Sequence, residues 1–593
     1  MGLHLIAFSL LNPADLLIAF EVALGIGAVI FVHELGHFAV AKWCGVKCEK
    51  FYLGFDIGGW KLCKFRWGET EYGIGILPLG GYVKMLGQED NPARMAEEME
   101  RAKLQAAEGE SAADQAPLFD PRSFLAKTVP QRMAIISAGV IMNIIFAFVV
   151  STYCYGVLGV EQVACEVGHV MAGEAAWRAG LQTGDKIVQI GDQKNPLFRD
   201  LQRGVNLGDD LHKGVKFVVE RPGAEKPLEL TVFPERRGAG RLAPMIGIGN
   251  GNERELYSPP VAPYSPLARL KDGFKAGDEL TAVNGKQVEN YAELERALYA
   301  NPGAASITVV RKIKEDETKI LNVDIPAVPM QTLGLVMKFG EITAVQDDSP
   351  AKAAGVEAGD RLVKIDGREV GGDNPLDPMT LPKELAARAG ETIQLTLERN
   401  GKTIETSAKL RAQTLSEFAA AEDGPVPVPA LGLVYAVENQ VAAVEPGSPA
   451  AKQKIKAGDE LVKAVVSPPE DAQEKYDLKR EPKPADLEFG PKKRNYPLFF
   501  SLLQEFPPDC KVELTFKDER TVALAPQPVA DWLNPDRGFL FKPVLVMQKA
   551  TSVGEAVSLG AAETRDSLSL VFRFLRKILS GQVSAKGMGG PLT

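Results

Sequence analysis

Residues 31–40 read FVHELGHFAV and close the apolar run LLIAFEVALGIGAVIFV at 16–32. That run is close to the roughly 20 apolar residues needed to span a bilayer. Histidine and glutamate are costly to place in lipid, so an ionisable trio at membrane depth marks function by default. In a helix, residues four apart share one face, and His33 and His37 can therefore direct both imidazoles at one metal ion. Glu34 follows the first of them and is placed to act as general base on a water. Zinc is the ion that suits this donor pair: it lowers the pKa of water towards neutrality and polarises a scissile carbonyl. Two structural readings of the trio stay open. The histidines could hydrogen-bond neighbouring helices, or the motif could be the relic of a lost site.

A chain of 593 residues exceeds one core and predicts about four or five domains. Charged residues at 24% and apolar residues at 45% are ordinary for a soluble protein, so the membrane signal is local. A net charge of −9 without a long basic stripe argues against a nucleic-acid partner. Six cysteines in this length, with Cys44 and Cys48 in a C-x3-C spacing and Cys63 nearby, make neither a disulfide framework nor a complete zinc ribbon. No basic n-region or small-residue cleavage site marks a removable leader. The first membrane segment is expected at about 15–40 and a second at 133–157, MAIISAGVIMNIIFAFVVSTYCYGV. The segment between them carries Lys42, Lys47, Lys50, Lys61, Lys64, Arg66, Arg122, Lys127 and Arg132, whereas residues 1–15 have neither Lys nor Arg. The positive-inside rule puts 41–132 in the cytoplasm and the large region after 157 outside. The Ala/Glu-rich stretch 88–120 reads as a solvated insertion without chemistry.

The region 157–545 repeats itself. An apolar–Gly–apolar triplet recurs around Gly159, Gly247, Gly334 and Gly432. A Gly-Asp pair opens an apolar strand 25 to 30 residues after each: Gly184-Asp185, Gly277-Asp278, Gly359-Asp360 and Gly458-Asp459. Hairpin-closing turns, VNGK and IDGR, follow the second and third. These four units resemble PDZ domains. The resemblance implies that each triplet is a loop whose amides capture a peptide's terminal carboxylate beside a strand-addition groove, or else that the glycines only serve turns. The expected boundaries are 158–250, 251–330, 331–415 and 428–545, the last with a charged insertion at 467–495. Residues 551–580 read as an amphipathic helix with a cationic edge at Arg573, Arg576 and Lys577, lying at the membrane interface and leading into 581–593.

VHELGHFAVAKWCGVK, GILPLGGYVKMLG at 75–87 and FLAKTVPQRMAIISAGVIMN at 124–143 together resemble the site-2 protease family, intramembrane zinc metalloproteases, in its bacterial PDZ-bearing branch. The resemblance covers the two membrane segments, the loop between them and, more loosely, the repeats. It implies zinc on His33 and His37, Glu34 as catalytic acid/base, and a membrane-associated β-hairpin at GILPLGGYVKM. A transmembrane substrate must unwind before hydrolysis, and a strand edge could replace the backbone hydrogen bonds it loses. Gly80 and Gly81 would permit the close turn there. Asn143 is polar at membrane depth and either stabilises the substrate carbonyl or makes a helix contact.

Relatives place a third zinc ligand in a late membrane helix with a Leu-Asp-Gly motif, and no Leu-Asp-Gly occurs in this sequence. His4, His169 and His212 are poor substitutes. The third ligand is therefore expected beyond Thr593, with this chain a truncated and inactive piece of a longer protein. The fold expected is multi-domain: an α-helical membrane domain at 1–157 with an inserted β-hairpin, then four tandem α+β PDZ-like domains. The function expected is an intramembrane zinc endopeptidase in the bacterial inner membrane, its active site near the cytoplasmic side and its repeats extracytoplasmic. Its substrates would be single-span membrane proteins such as anti-sigma factors or signal-peptide remnants, with peptide C-termini as possible partners of the repeats. The competing readings are a membrane-tethered multi-PDZ scaffold without catalysis and, less consistent with the apolar runs, a soluble metalloprotease.

Overall fold

The two apolar runs form helices. In the computed structural model, α1 spans Pro13–Trp43 and α2 spans Val129–Tyr153. The structure describes residues 13–55, 61–75, 77–87, 120–207, 213–235, 244–314, 317–370, 375–413, 418–419, 424–476, 478, 482–490 and 495–579. The stretch 88–119, His4, His212 and residues 580–593 lie outside them. Both helices are long and apolar enough to cross a membrane, over Leu17–Trp43 and Val129–Leu158. Leu17, Phe20 and Leu24 on α1, and Ile136, Val140 and Ile145 on α2, are all exposed. A helix apolar around its outer face needs lipid as its solvent. α2 starts where Pro130 fits the first turn and the Thr128 N–H donates to Gln131 Oε1 at 3.1 Å.

The first compact unit comprises residues up to Val160 together with 548–572. Between its helices lies a four-stranded sheet rather than a lone hairpin: β1 (Cys48–Phe55), β2 (Lys61–Trp67), β3 (Thr70–Gly75) and β4 (Leu77–Met85), in the order β2-β3-β1-β4. β1 runs parallel to β3 and antiparallel to β4, with Tyr52 opposite Tyr82 and Leu53 opposite Gly81. The expected amphipathic helix forms at Val553–Leu579. Its Gly560 lies where a Cβ would come 2.2 Å from Thr152 Oγ1, and Glu563 accepts from the Tyr155 hydroxyl at 2.9 Å. Close approach to the end of α2 therefore requires glycine at this point.

The second unit contains residues 161–547 and four copies of one hydrogen-bonded device. Its relevant elements, in chain order, are β5 (Val167–Ala172), α3 (Phe198–Leu207), β6 (Ile248–Asn250), β7 (Asn252–Val261), α4 (Tyr291–Ala300), β8 (Leu335–Val345), α5 (Leu381–Ala386), β9 (Val426–Val428), β10 (Leu433–Val444), α6 (Tyr496–Glu505) and β11 (Phe539–Pro543). In each copy a glycine carbonyl accepts from a residue next to the end of a strand. The donors are Met171 to Gly247, Ala262 to Gly538, Gln346 to Gly432 and Glu445 to Gly334, at 2.7–3.0 Å. In three copies the residue before the glycine accepts from an alanine five positions after that donor: Ala176 to Ile246, Ala351 to Leu431 and Ala450 to Leu333.

These pairings do not follow chain order. The first repeat is completed by its own C-terminal strand, with Ile248 opposite Val170. The second is completed by β11, where Phe541 lies opposite Leu256, more than two hundred residues downstream. The third and fourth exchange strands: Ala344 faces Val434 while Leu335 faces Val444, so β8 and β10 each begin in one repeat and end in the other. The expected boundaries at 251–330, 331–415 and 428–545 are thus crossed by strands. The pair formed by repeats 3 and 4, which shares one hydrophobic core, is inserted within repeat 2. The reason is local. Gly340 and Glu341 in β8, and Asn439 and Gln440 in β10, leave no turn between the strand after the triplet and the strand before the helix, so neither can fold back as a hairpin.

Gly159 has a different place from the other three triplet glycines. It caps the π turn that ends α2, with φ of 80° and its N–H on the Cys154 carbonyl at 2.8 Å. The position expected of it is filled by Gly247 in the first repeat and by Gly538 in the second.

The Gly-Asp pairs also acquire a partner that spacing alone did not reveal. Asp185 receives Arg221 Nε at 2.8 Å, Asp278 receives Arg311 Nε at 2.7 Å, and Asp360 receives Arg399 Nε at 2.6 Å. In all three the same guanidinium also donates to a carbonyl, of Gly180, Gly273 or Gly355. Asp459 and Arg520 form the fourth pair, at 2.5 Å. A bidentate Arg clamp lets a buried aspartate stay ionised. Burial opposes the charge on Asp360, but Arg399 and the Glu357 amide outweigh it and hold the carboxyl below its ordinary range. All six cysteines are free thiols, and burial pushes Cys48 up to about 11 and Cys165 and Cys510 up to about 12, so these three are inert at neutral pH.

Candidate metal centre

α1 turns five side chains to two different neighbours. Phe31, Glu34 and Phe38 lie towards the sheet, where Phe51 meets Phe31 at 5.3 Å and stacks on Phe38 at 4.8 Å between centroids. His33 and His37 lie towards α2. Their Nε2 atoms are 3.1 Å apart. Two imidazoles on one tetrahedral zinc, each at about 2.0–2.1 Å, hold their nitrogens about 3.3 Å apart, so the pair fits one ion.

The far sides of both rings are engaged. His37 Nδ1 lies 2.7 Å from the Ile135 carbonyl, which can only accept, so the proton sits on Nδ1 and leaves the Nε2 lone pair for a metal. His33 Nδ1 lies 3.3 Å from the Asn143 amide. Asn143 Oδ1 is buried and has no partner among the described residues, and an amide turned to present that oxygen accepts the Nδ1–H that an Nε2-ligating imidazole carries. Asn143 therefore meets a histidine across the helix pair.

The helices approach this closely through two glycines. A Cβ on Gly36 would fall 2.5 Å from the Ala138 carbonyl oxygen, and one on Gly139 would fall 2.5 Å from His37 Nε2 and 2.7 Å from His33 Nε2. Gly139 is thus part of the site's wall, a role the sequence signalled only as a small residue four positions before Asn143. On the sheet side, Gly81 lies 3.6 Å from Glu34 Cγ and 3.9 Å from Phe31 Cα, measured from its would-be Cβ. Gly80, at φ of 111°, is buried beside it. β4 is an edge strand of its sheet among the described residues. Among those residues no cluster of three His, Cys, Asp or Glu side chains forms a complete metal cage, and His169 lies in the first repeat.

A family model described as peptidase family M50 matches residues 21–593. The chain belongs to peptidase family M50. It is similar to the protease RseP of Yersinia pestis, at 29% identity over 63% of this chain and 80% of that one. It is also similar to the regulator of sigma-E protease RseP of Escherichia coli (strain K12), at 27% identity over 64% of this chain and 82% of that one. A putative zinc metalloprotease of Vibrio cholerae is 30% identical over 50% of this chain and 60% of its own length. The chain is thus a metalloprotease of the site-2 type, and its two apolar helices agree with a bacterial membrane protein. The zinc-metalloprotease relatives imply zinc as the metal for which the histidine pair is suited.

Proposed function

We propose that this M50 protease is an intramembrane zinc endopeptidase that cuts single-span membrane proteins, with His33 and His37 as metal ligands and Glu34 as the proton-transfer group. One observation carries the reading: two Nε2 atoms 3.1 Å apart, with both Nδ1 atoms engaged, beside a glutamate that faces Gly81. Zinc, when bound, supplies an activated water and a polarised scissile carbonyl. The Glu34 carboxylate takes the proton of the attacking water and returns it to the leaving amine. Asn143 and the Ile135 carbonyl fix the two rings. A third protein ligand comes from outside the described residues.

A substrate helix hides its carbonyls within its own hydrogen bonds, and lipid offers none in exchange. The unpaired side of β4 supplies that exchange: a locally unwound substrate pairs there, and Gly80 and Gly81 keep the strand bare next to Glu34. The basic 41–132 segment supports a site near the cytoplasm with the repeats outside. The repeats act as PDZ-like units that screen substrates, which are membrane stubs such as anti-sigma factors or signal-peptide remnants.

The test is cleavage of a single-span substrate by the full-length membrane protein in detergent, with zinc quantified, for wild type and Glu34→Gln. The variant should keep its zinc and lose at least about 100-fold in rate. A variant that still cuts at the wild-type rate removes Glu34 from the chemistry. A wild-type protein that holds no zinc and cuts nothing makes the repeats a scaffold.

A further inference from the structure

Strand addition needs an unpaired edge, and the four repeats differ in whether they have one. β6 and β11, which begin directly after Gly247 and Gly538, are edge strands of their sheets among the described residues. The equivalent part of β10 is not. Leu433, Val434 and Tyr435 pair on one side with Val345, Ala344 and Ile342, and on the other with Val428, Pro427 and Val426 of β9. β9 runs antiparallel to β10, as an added peptide would, and packs against α5, the helix of the same repeat. Val426 and Val428 are buried in one cluster with Leu381 and Leu385 of α5.

The loop amides are occupied as well. Leu431 and Gly432, the residues expected to receive a peptide's terminal carboxylate, donate to the Val428 carbonyl at 3.0 and 2.8 Å. The segment is also held from both ends. Asn495 Nδ2 donates to the Gly424 carbonyl at 2.7 Å, Arg411 Nε to the Pro429 carbonyl at 2.7 Å, and the Arg411 N–H to the Ala430 carbonyl at 3.0 Å.

We infer that Val426–Val428 is a tethered pseudo-ligand that fills the peptide groove of the third repeat. This rests on reading the repeats as peptide-binding units. An ordinary hairpin would explain the strand pairing. It would also explain the Val428 carbonyl at the Leu431 and Gly432 amides, three and four residues on, but not why the occupant lies between β10 and the helix of the same repeat. The consequence is a division of labour: the third repeat is closed to outside peptides, and strand addition is confined to repeats with open edges. A short tether presents its segment at an effective concentration in the millimolar range, so a free peptide with an intrinsic Kd of about 10 μM would bind about 100-fold more weakly.

The probe is a photo-crosslinking peptide ending in Gly-Pro-Val-Pro-Val with a free carboxylate, a copy of residues 424–428, applied to the full chain in detergent. Labelled sites are mapped by mass spectrometry. Wild type should show only background labelling on Leu381–Ala386, and the double variant Val426→Gly/Val428→Gly at least tenfold more. Equal labelling of the two proteins on α5 would overturn the inference. So would a double variant whose Leu431 and Gly432 amides exchange freely while α5 stays unlabelled. Hydrogen exchange on wild type needs no variant: protection of those two amides comparable to β10 supports the plug, and exchange at open-loop rates refutes it. Glu34→Gln cleavage is read separately, so failure here leaves the protease reading untouched.

Discussion

The helical unit and the repeat unit solve opposite problems. In the first, polar side chains must be gathered where helices are apolar, and the solution is to remove side chains: Gly36 and Gly139 let backbone and imidazole come within reach. In the second, repeats completed by distant strands must be held in register, and the solution is to add buried charge, one Arg–Asp clamp per repeat. Substitutions that restore a methyl group should therefore damage the first unit, and substitutions that remove a charge should damage the second.

The largest effect is expected at Asp278→Ala. Its side chain is 1% exposed and Arg311 11%, so truncation strands a buried guanidinium. Loss of one partner of a buried pair costs about 3–5 kcal/mol. Asp459→Ala is the control within the same device, because Asp459 is 20% and Arg520 33% exposed. There water takes over part of the pairing and the loss should be about 1 kcal/mol. Hydrogen exchange across the repeats of the full chain reads both. Equal losses would mean that burial does not set the strength of the clamp.

The comparison also shows where sequence is informative. His33, Glu34 and His37 were legible because their geometry is set by four residues of one helix. Gly139 was not, since its role exists only once α2 lies against α1. The Gly-Asp repeat was legible, yet its arginines sit 33 to 61 residues away. The recurring Arg at the end of an apolar strand, as in VVER and TLER, was the available signal. Gly159 fits the triplet pattern and has another job. Gly538, preceded by Arg537 rather than an apolar residue, fits it poorly and does the job. A short motif states which loop conformation is possible; long-range strand pairing decides which loop is used. Strand exchange between repeats 3 and 4 was hidden because the missing turns in β8 and β10 say only that neither strand folds back on itself, not which strand it pairs with.

Second in size is Gly139→Ala. The new methyl group would overlap both imidazoles, so zinc content should fall with an affinity loss of about 10–100-fold, a range typical of disturbed metal-ligand support. Asn143→Leu should fall towards the lower end of that range, because it removes the partner of His33 Nδ1 without pushing either ring. Zinc per chain at graded chelator concentrations separates the two. If Gly139→Ala holds zinc as wild type does, the two helices are not the rigid wall that the glycine contacts describe.

The smallest effect tests the repeat unit through pH. Burial raises the Asp377 carboxyl to about 7, with Glu445 and Glu384 adding to the rise and the Met379 amide opposing it. The folded chain therefore keeps this proton up to about pH 7, whereas an unfolded aspartate releases it near about pH 4. The resulting stability is fully present below about pH 4 and is lost as pH rises through 7. Asp377→Asn keeps the acceptor for the Met379 N–H and removes the titration. Wild type should melt lower than the variant at pH 8, with the gap narrowing steadily as pH falls from 7 and closing below about pH 4. The site lies just before α5, and Pro378 accepts from the Tyr435 hydroxyl at 2.6 Å on the strand that carries β9. Deprotonation at Asp377 should therefore loosen the third repeat first, and protection of the Leu431 and Gly432 amides should weaken above pH 7 in wild type but not in Asp377→Asn.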